Sequence, residues 1–233
     1  MPSRQHLRSF ALTLALAFAP ATWVAPSAHA QEAQEPETVG ALVQALAATY
    51  KDVTSLRADF VQVVRSPVSG EQRQRGRVQV KKPRKARWEF VSEPQSQFIT
   101  DGKQMWLYTP ASKQVIVMND LSAAGSADLG VLLDDLSKLD QKFNLRLLAG
   151  GGADRGRSYL VEATPKDPAA KFKKVELEIS RKKFMLDRVV ITGTMGEVTE
   201  LAFTGIKLNT AIPDADFSFQ TPAGVQVISP NGM

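Results

Sequence analysis

The chain has 233 residues, 43% of them hydrophobic and 23% charged, a length that fits one domain around one core. It contains no cysteine, which excludes disulfides, thiolate metal sites, thiol nucleophiles and a cysteine-linked lipid anchor. Its two histidines are His6 and His29, so any chemistry built on histidine depends on the first thirty residues being retained.

Those thirty residues read as a secretory signal. Arg4 and Arg8 supply a positive start, Phe10 to Ala19 an apolar core, and Ala28-His29-Ala30 the small-x-small pattern that places the cut after Ala30. Pro20 and Pro26 interrupt the apolar run too early for a membrane-spanning helix. Removing Arg4 and Arg8 from the 29 basic residues leaves 27 against 24 acidic ones. So small an excess gives no argument for nucleic acid as a partner.

Residues 31–37 are polar, acidic and proline-containing, a flexible lead to one domain over 38–230. Val39, Val43, Leu46, Tyr50 and Val53 then fall on one helical stripe, with Thr38 as its N-cap. From Leu56 the period becomes two. Val78 and Val80 alternate with basic and amide residues, and Trp88 and Phe90 with Arg87 and Glu89. Ser66 to Gly70 reads as a hairpin loop. Lys82-Pro83 ends a strand, because proline cannot donate to a ladder. Asp101-Gly102 joins Gln97–Thr100 to Gln104–Thr109, and Pro110 to Lys113 turns the chain into Gln114–Met118. These last two strands are apolar on both faces, as strands covered on both sides are.

Leu129, Leu132, Leu133, Leu136 and Leu139 predict a second amphipathic helix. Strand patterns resume at Phe143–Leu148, Tyr159–Thr164, Val175–Ile179, Arg188–Thr192, Thr199–Thr204 and Ile206–Leu208, and Phe217 with Phe219 makes a last alternation. The expected fold is α+β, dominated by one antiparallel sheet of roughly ten strands, a number at which such a sheet curls strongly.

Candidate chemistry is sparse. Asp134 and Asp135 are adjacent on a helix and diverge by about 100°, so they do not converge on one atom. Asp214 and Asp216 lack the further oxygens that calcium needs. No cofactor or metal is expected, and no catalytic constellation is visible. The run Lys81, Lys82, Arg84, Lys85, Arg87 is either a solvated edge loop or a docking surface for an acidic partner. The apolar strand residues either fill the core or leave a half-barrel pocket.

The chain carries, in order, Ala58-Asp59-Phe60-Val61-Gln62, Gly76-x-Val78-x-Val80-Lys81-Lys82-Pro83, Arg87-Trp88, Asp101-Gly102, Trp106-Leu107-Tyr108, Gln114-Val115 and Phe217-x-Phe219-x-x-Pro222-x-Gly224-Val225. Taken together, these runs resemble the LolA family of periplasmic outer-membrane lipoprotein carriers. The likeness spans about residues 38–228; no single run is specific, but their order and spacing are.

The resemblance implies a strongly curved, mostly antiparallel unclosed β-barrel of about ten or eleven strands with a lid of short helices, working as a non-enzymatic, monomeric periplasmic chaperone. It would take lipoproteins released by an inner-membrane ABC-type complex, hold their acyl chains in an apolar cavity, and deliver them to an outer-membrane receptor lipoprotein. The implied lining is Phe60, Val78, Val80, Trp88, Phe90, Phe98, Trp106, Tyr108, Val115 and Val117. The implied lid is Val43, Leu46, Leu129, Leu132, Leu133 and Leu136. Where the family has a lid-closing arginine before the strand-ending proline, this chain has Lys82, which lacks the planar two-donor fork. Ala86 is also smaller than the aromatic often found at its position. The alternative role is a sensor or carrier of the same fold with a different cargo.

Overall fold

The structure is a computed structural model that describes residues 38–119, 139–148 and 156–229. The expected signal, the lead and the lid residues Leu129, Leu132, Leu133 and Leu136 lie outside these.

The chain enters through α1 (Val39–Lys51). Thr38 caps it, its hydroxyl accepting a 3.2 Å hydrogen bond from the Ala41 N–H. Leu42, Val43, Leu46 and Tyr50 form its buried face. The helix stops at Lys51, so Val53 is buried by the turn that follows rather than by the helix.

Twelve strands follow among the described residues: β1 (Ser55–Ser66), β2 (Gly70–Lys81), β3 (Lys85–Phe90), β4 (Ser96–Thr100), β5 (Met105–Thr109), β6 (Gln114–Met118), β7 (Phe143–Leu148), β8 (Ser158–Pro165), β9 (Phe172–Ser180), β10 (Leu186–Gly193), β11 (Val198–Leu208) and β12 (Gln226–Ile228). They form one sheet in the order β12-β6-β5-β4-β3-β2-β1-β11-β10-β9-β8-β7. Every pairing is antiparallel except β12 on β6. The sheet does not close, since β12 and β7 are its two edges.

The curl of the sheet is visible in its side chains. Trp88 on β3 and Phe203 on β11 are three strand spacings apart, about 14 Å on a flat sheet. Their ring centroids are 6.2 Å apart. Phe60, on β1 between them, meets Trp88 edge-on at 5.0 Å and Phe90 at 5.1 Å. Such inward convergence requires a strongly bent sheet, and α1 packs into its concave side as part of the same core cluster.

Three sequence expectations change. First, Thr199–Thr204 and Ile206–Leu208 are one strand. Arg57 faces Lys207 and Asp59 faces Thr204, so two steps on β1 meet three on β11. Gly205 occupies this bulge at φ 62°, a conformation that glycine adopts freely. The extra residue reverses the side-chain alternation, which is why the period-two pattern breaks there. Second, Phe217 and Phe219 are not in a strand: Asp214–Phe217 is a 3-10 turn and Phe217 is buried. Third, the strand near the C-terminus is Gln226–Ile228, whose mostly exposed side chains gave no alternation to read.

Candidate functional site

Directly paired residues in neighbouring strands share a face. One row of the sheet runs Ala58, Val78, Trp88, Phe98, Leu107, Ile116. Another joins Phe60, Gly76 and Phe90. Since Phe60, Val78 and Trp88 belong to the core cluster with α1, these rows mark the concave face. Of the expected lining, Phe60, Val78, Val80, Trp88, Phe90 and Phe98 lie on it.

Trp106, Tyr108, Val115 and Val117 do not. Ile99 pairs with Trp106, Trp106 with Val117, and Tyr108 with Val115 and Gln97, all in the alternate rows that face outward. Their apolarity meets a different need, because the C-terminal segment lies across this convex side. The Tyr108 and Phe219 rings are 5.2 Å apart, and β12 then pairs with β6.

The basic run holds that same segment. Lys81 donates to the Ile212 carbonyl at 2.8 Å and to Asp214 at 2.6 Å; Lys85 meets the other Asp214 oxygen at 2.9 Å. The two ammonium groups pull the Asp214 carboxyl down to a pKa of about 2. Arg87 donates to the Asp216 carbonyl at 3.1 Å, and Arg57 to the Ala211 carbonyl at 3.4 Å. Lys81, Lys85 and Arg87 therefore act within the chain, as a dock for its own C-terminal segment.

Lys82 points the other way. Its ammonium group donates a 3.0 Å hydrogen bond to the Tyr50 carbonyl in the last turn of α1. A cation there also meets the negative end of the helix dipole. The Tyr50 hydroxyl reaches across the fold and accepts from the Leu186 N–H of β10 at 3.3 Å. Burial pushes the pKa of this hydroxyl up.

Beside Tyr50 lies a narrow apolar crevice, partly open to solvent and with a cavity volume of only about 10 Å³, lined by Tyr50, Leu56, Ala58, Val78, Trp88, Leu186, Phe203 and Ile206. Phe203 and Ile206 differ in parity, and both line it because the Gly205 bulge turns them to one side. Leu42 and Leu46 of α1 are fully buried, so the helix's own side chains fill much of the interior.

A sequence model of the outer membrane lipoprotein carrier protein LolA family matches residues 51–220. The chain belongs to the LolA family.

Its relatives include the outer-membrane lipoprotein carrier protein of Dechloromonas aromatica (strain RCB), 32% identical over 179 residues that cover 76% of this chain and 83% of that one. The corresponding protein of Nitrosospira multiformis is 32% identical over 183 residues, 77% and 84% of the two chains. An uncharacterized conserved protein from Thermus thermophilus shares the fold, with a TM-score of 0.52 at 17% identity over 81% of this chain and 96% of its own.

Within this LolA-family chain, sequence reading missed Leu186, Phe203 and Ile206. Phe203 lies opposite Phe60, a pairing across 143 positions that no local pattern announces. The one available signal was the parity break around Gly205.

Proposed function

We propose that this chain is a periplasmic lipoprotein carrier, exported by a signal cut after Ala30, that shields acyl chains between α1 and the concave face of the sheet. It takes lipoproteins from an inner-membrane ABC-type complex and passes them to an outer-membrane receptor lipoprotein. The observation that carries this reading is the concave surface itself. Aromatic and aliphatic side chains from β1, β2, β3, β10 and β11 converge there under one short helix.

Acyl chains lose about 0.8 kcal/mol per methylene on return to water, so a lipoprotein needs a cover to cross an aqueous compartment. The crevice accommodates such chains only when α1 swings outward and its leucines give up their place. Acyl methylenes then replace Leu42 and Leu46 against the same aromatic wall. Much of the apolar burial is exchanged rather than gained, which keeps binding weak enough for release. The work is binding and shielding, not turnover.

The test uses the purified mature chain and a triacylated lipopeptide. One lipopeptide should bind per protein and change Trp88 emission, and the unacylated peptide should not bind. A folded protein that ignores the triacylated peptide would sink this function. Mass spectrometry of lipids co-purified from the host distinguishes lipoprotein cargo from another lipid.

A further inference from the structure

The two most exposed large hydrophobic residues among the described ones are Val68, at 97%, and Met195, at 85%. Both sit at hairpin tips. Val68 lies between β1 and β2, and Met195 between β10 and β11. The hairpins are side by side, because β1 pairs with β11 as far as Arg65 and Val198. The tips also lie close together: a Cβ on Gly196 would stand 3.7 Å from Pro67 Cγ. They form one projection at the end of the sheet opposite the Lys82 contact with α1.

The projection has an ordered composition. Ser66-Pro67-Val68-Ser69-Gly70 and Gly193-Thr194-Met195-Gly196 contain no charged residue. Charge begins one step behind, with Arg65 and Glu71 on one hairpin and the half-buried Glu197 on the other. There Arg65 is neutralised by Glu71 and Glu200, at 2.8 and 3.3 Å. Arg73 and Arg75 on β2 are exposed and make no ion pair among the described residues. Uncharged tips with two bare apolar side chains, backed by free guanidinium groups, match a bilayer interface: a shallow apolar layer under anionic headgroups.

We propose that this twin-hairpin tip touches the surface of an anionic membrane, with Val68 and Met195 entering the interface and Arg73 and Arg75 meeting lipid phosphates. The inference rests on the carrier reading for its purpose, since it brings the protein to the membranes between which cargo moves, but it stands on its own geometry.

The experiment is flotation of the mature protein with phosphatidylcholine vesicles, with and without phosphatidylglycerol. Wild type should float with the anionic vesicles, and salt should weaken the binding. V68D/M195D should lose about tenfold or more of it, because two carboxylates replace the inserting groups. R73A/R75A should lose the preference for phosphatidylglycerol. Lipopeptide binding, measured in parallel, should be unchanged in both variants, which separates this proposal from the carrier function. Wild type that fails to float, or V68D/M195D that floats equally well, overturns it. So does a wild type that ignores vesicles while V68D/M195D loses transfer to a purified acceptor protein, since the tip would then be a protein dock.

Discussion

Lys82 and Tyr50 are joined across the fold: the lysine ammonium, just past the end of β2, donates to a carbonyl in the last turn of α1 at 3.0 Å. The Val53 N–H donates to the same carbonyl at 3.2 Å, so the end of the helix has one tertiary bond and one local bond. Lys82→Ala removes the tertiary one. The expected loss of stability is about 1 kcal/mol, with faster amide exchange over Leu42–Tyr50 measured by mass spectrometry. Lys82→Arg should preserve protection and slow lipopeptide loading and release, because the planar guanidinium fork can hold two acceptors at once. Unchanged α1 exchange in Lys82→Ala would show that the contact does not hold the helix.

Tyr50→Phe tests the opposite wall. Removing the hydroxyl leaves the Leu186 N–H without its acceptor in a buried place. That costs about 1–3 kcal/mol, read as a shift of the urea midpoint at constant m. A variant as stable as wild type would mean that water replaces the bond.

Gly76→Ala should be among the most damaging small substitutions in the sheet. A methyl group there would run into the Glu89 carbonyl and the Phe60 ring. The carbonyl belongs to a paired strand and the ring is locked against Trp88 and Phe90, so neither yields easily. Overpacking of this kind costs about 1–3 kcal/mol. Thermal unfolding checks it, and an unchanged midpoint would be the contrary result.

Asp214 links the C-terminal segment to pH. Its pKa falls from the ordinary 3.8 to about 2 in the folded protein. A depressed folded value means the contribution is present above about pH 4 and disappears as the pH falls toward 2. Carboxyl-carbon NMR should place its midpoint near 2. Asp214→Asn should flatten the stability–pH curve between those limits, with no effect on α1 exchange. An Asp214 that titrates at its ordinary value would mean that Lys81 and Lys85 do not hold it.

The sequence by itself determined most of the elements. Thr38 and the apolar stripe after it announced α1, and period-two alternation with turn residues at Ser66–Gly70, Asp101-Gly102 and Pro110–Lys113 announced the hairpins. These signals are local, carried by capping, φ/ψ preference and side-chain period within a few residues. Which face each strand turns inward was legible only where one face was polar, as at Val78, Val80, Trp88 and Phe90. Strands β5 and β6 are apolar on both sides, so their sequence left the choice open. The ladder decided it, sending Trp106, Tyr108, Val115 and Val117 to the convex side. Likewise, nothing near Lys81, Lys82 and Lys85 says that Lys82 reaches a helix on one side of the sheet while its neighbours grip Asp214 on the other. A strand alternates its side chains between two surfaces, and what waits on each surface arrives from distant parts of the chain. Register and curvature are therefore properties of the assembled sheet, fixed by pairings such as Phe60 with Phe203 that exist only once the chain has folded.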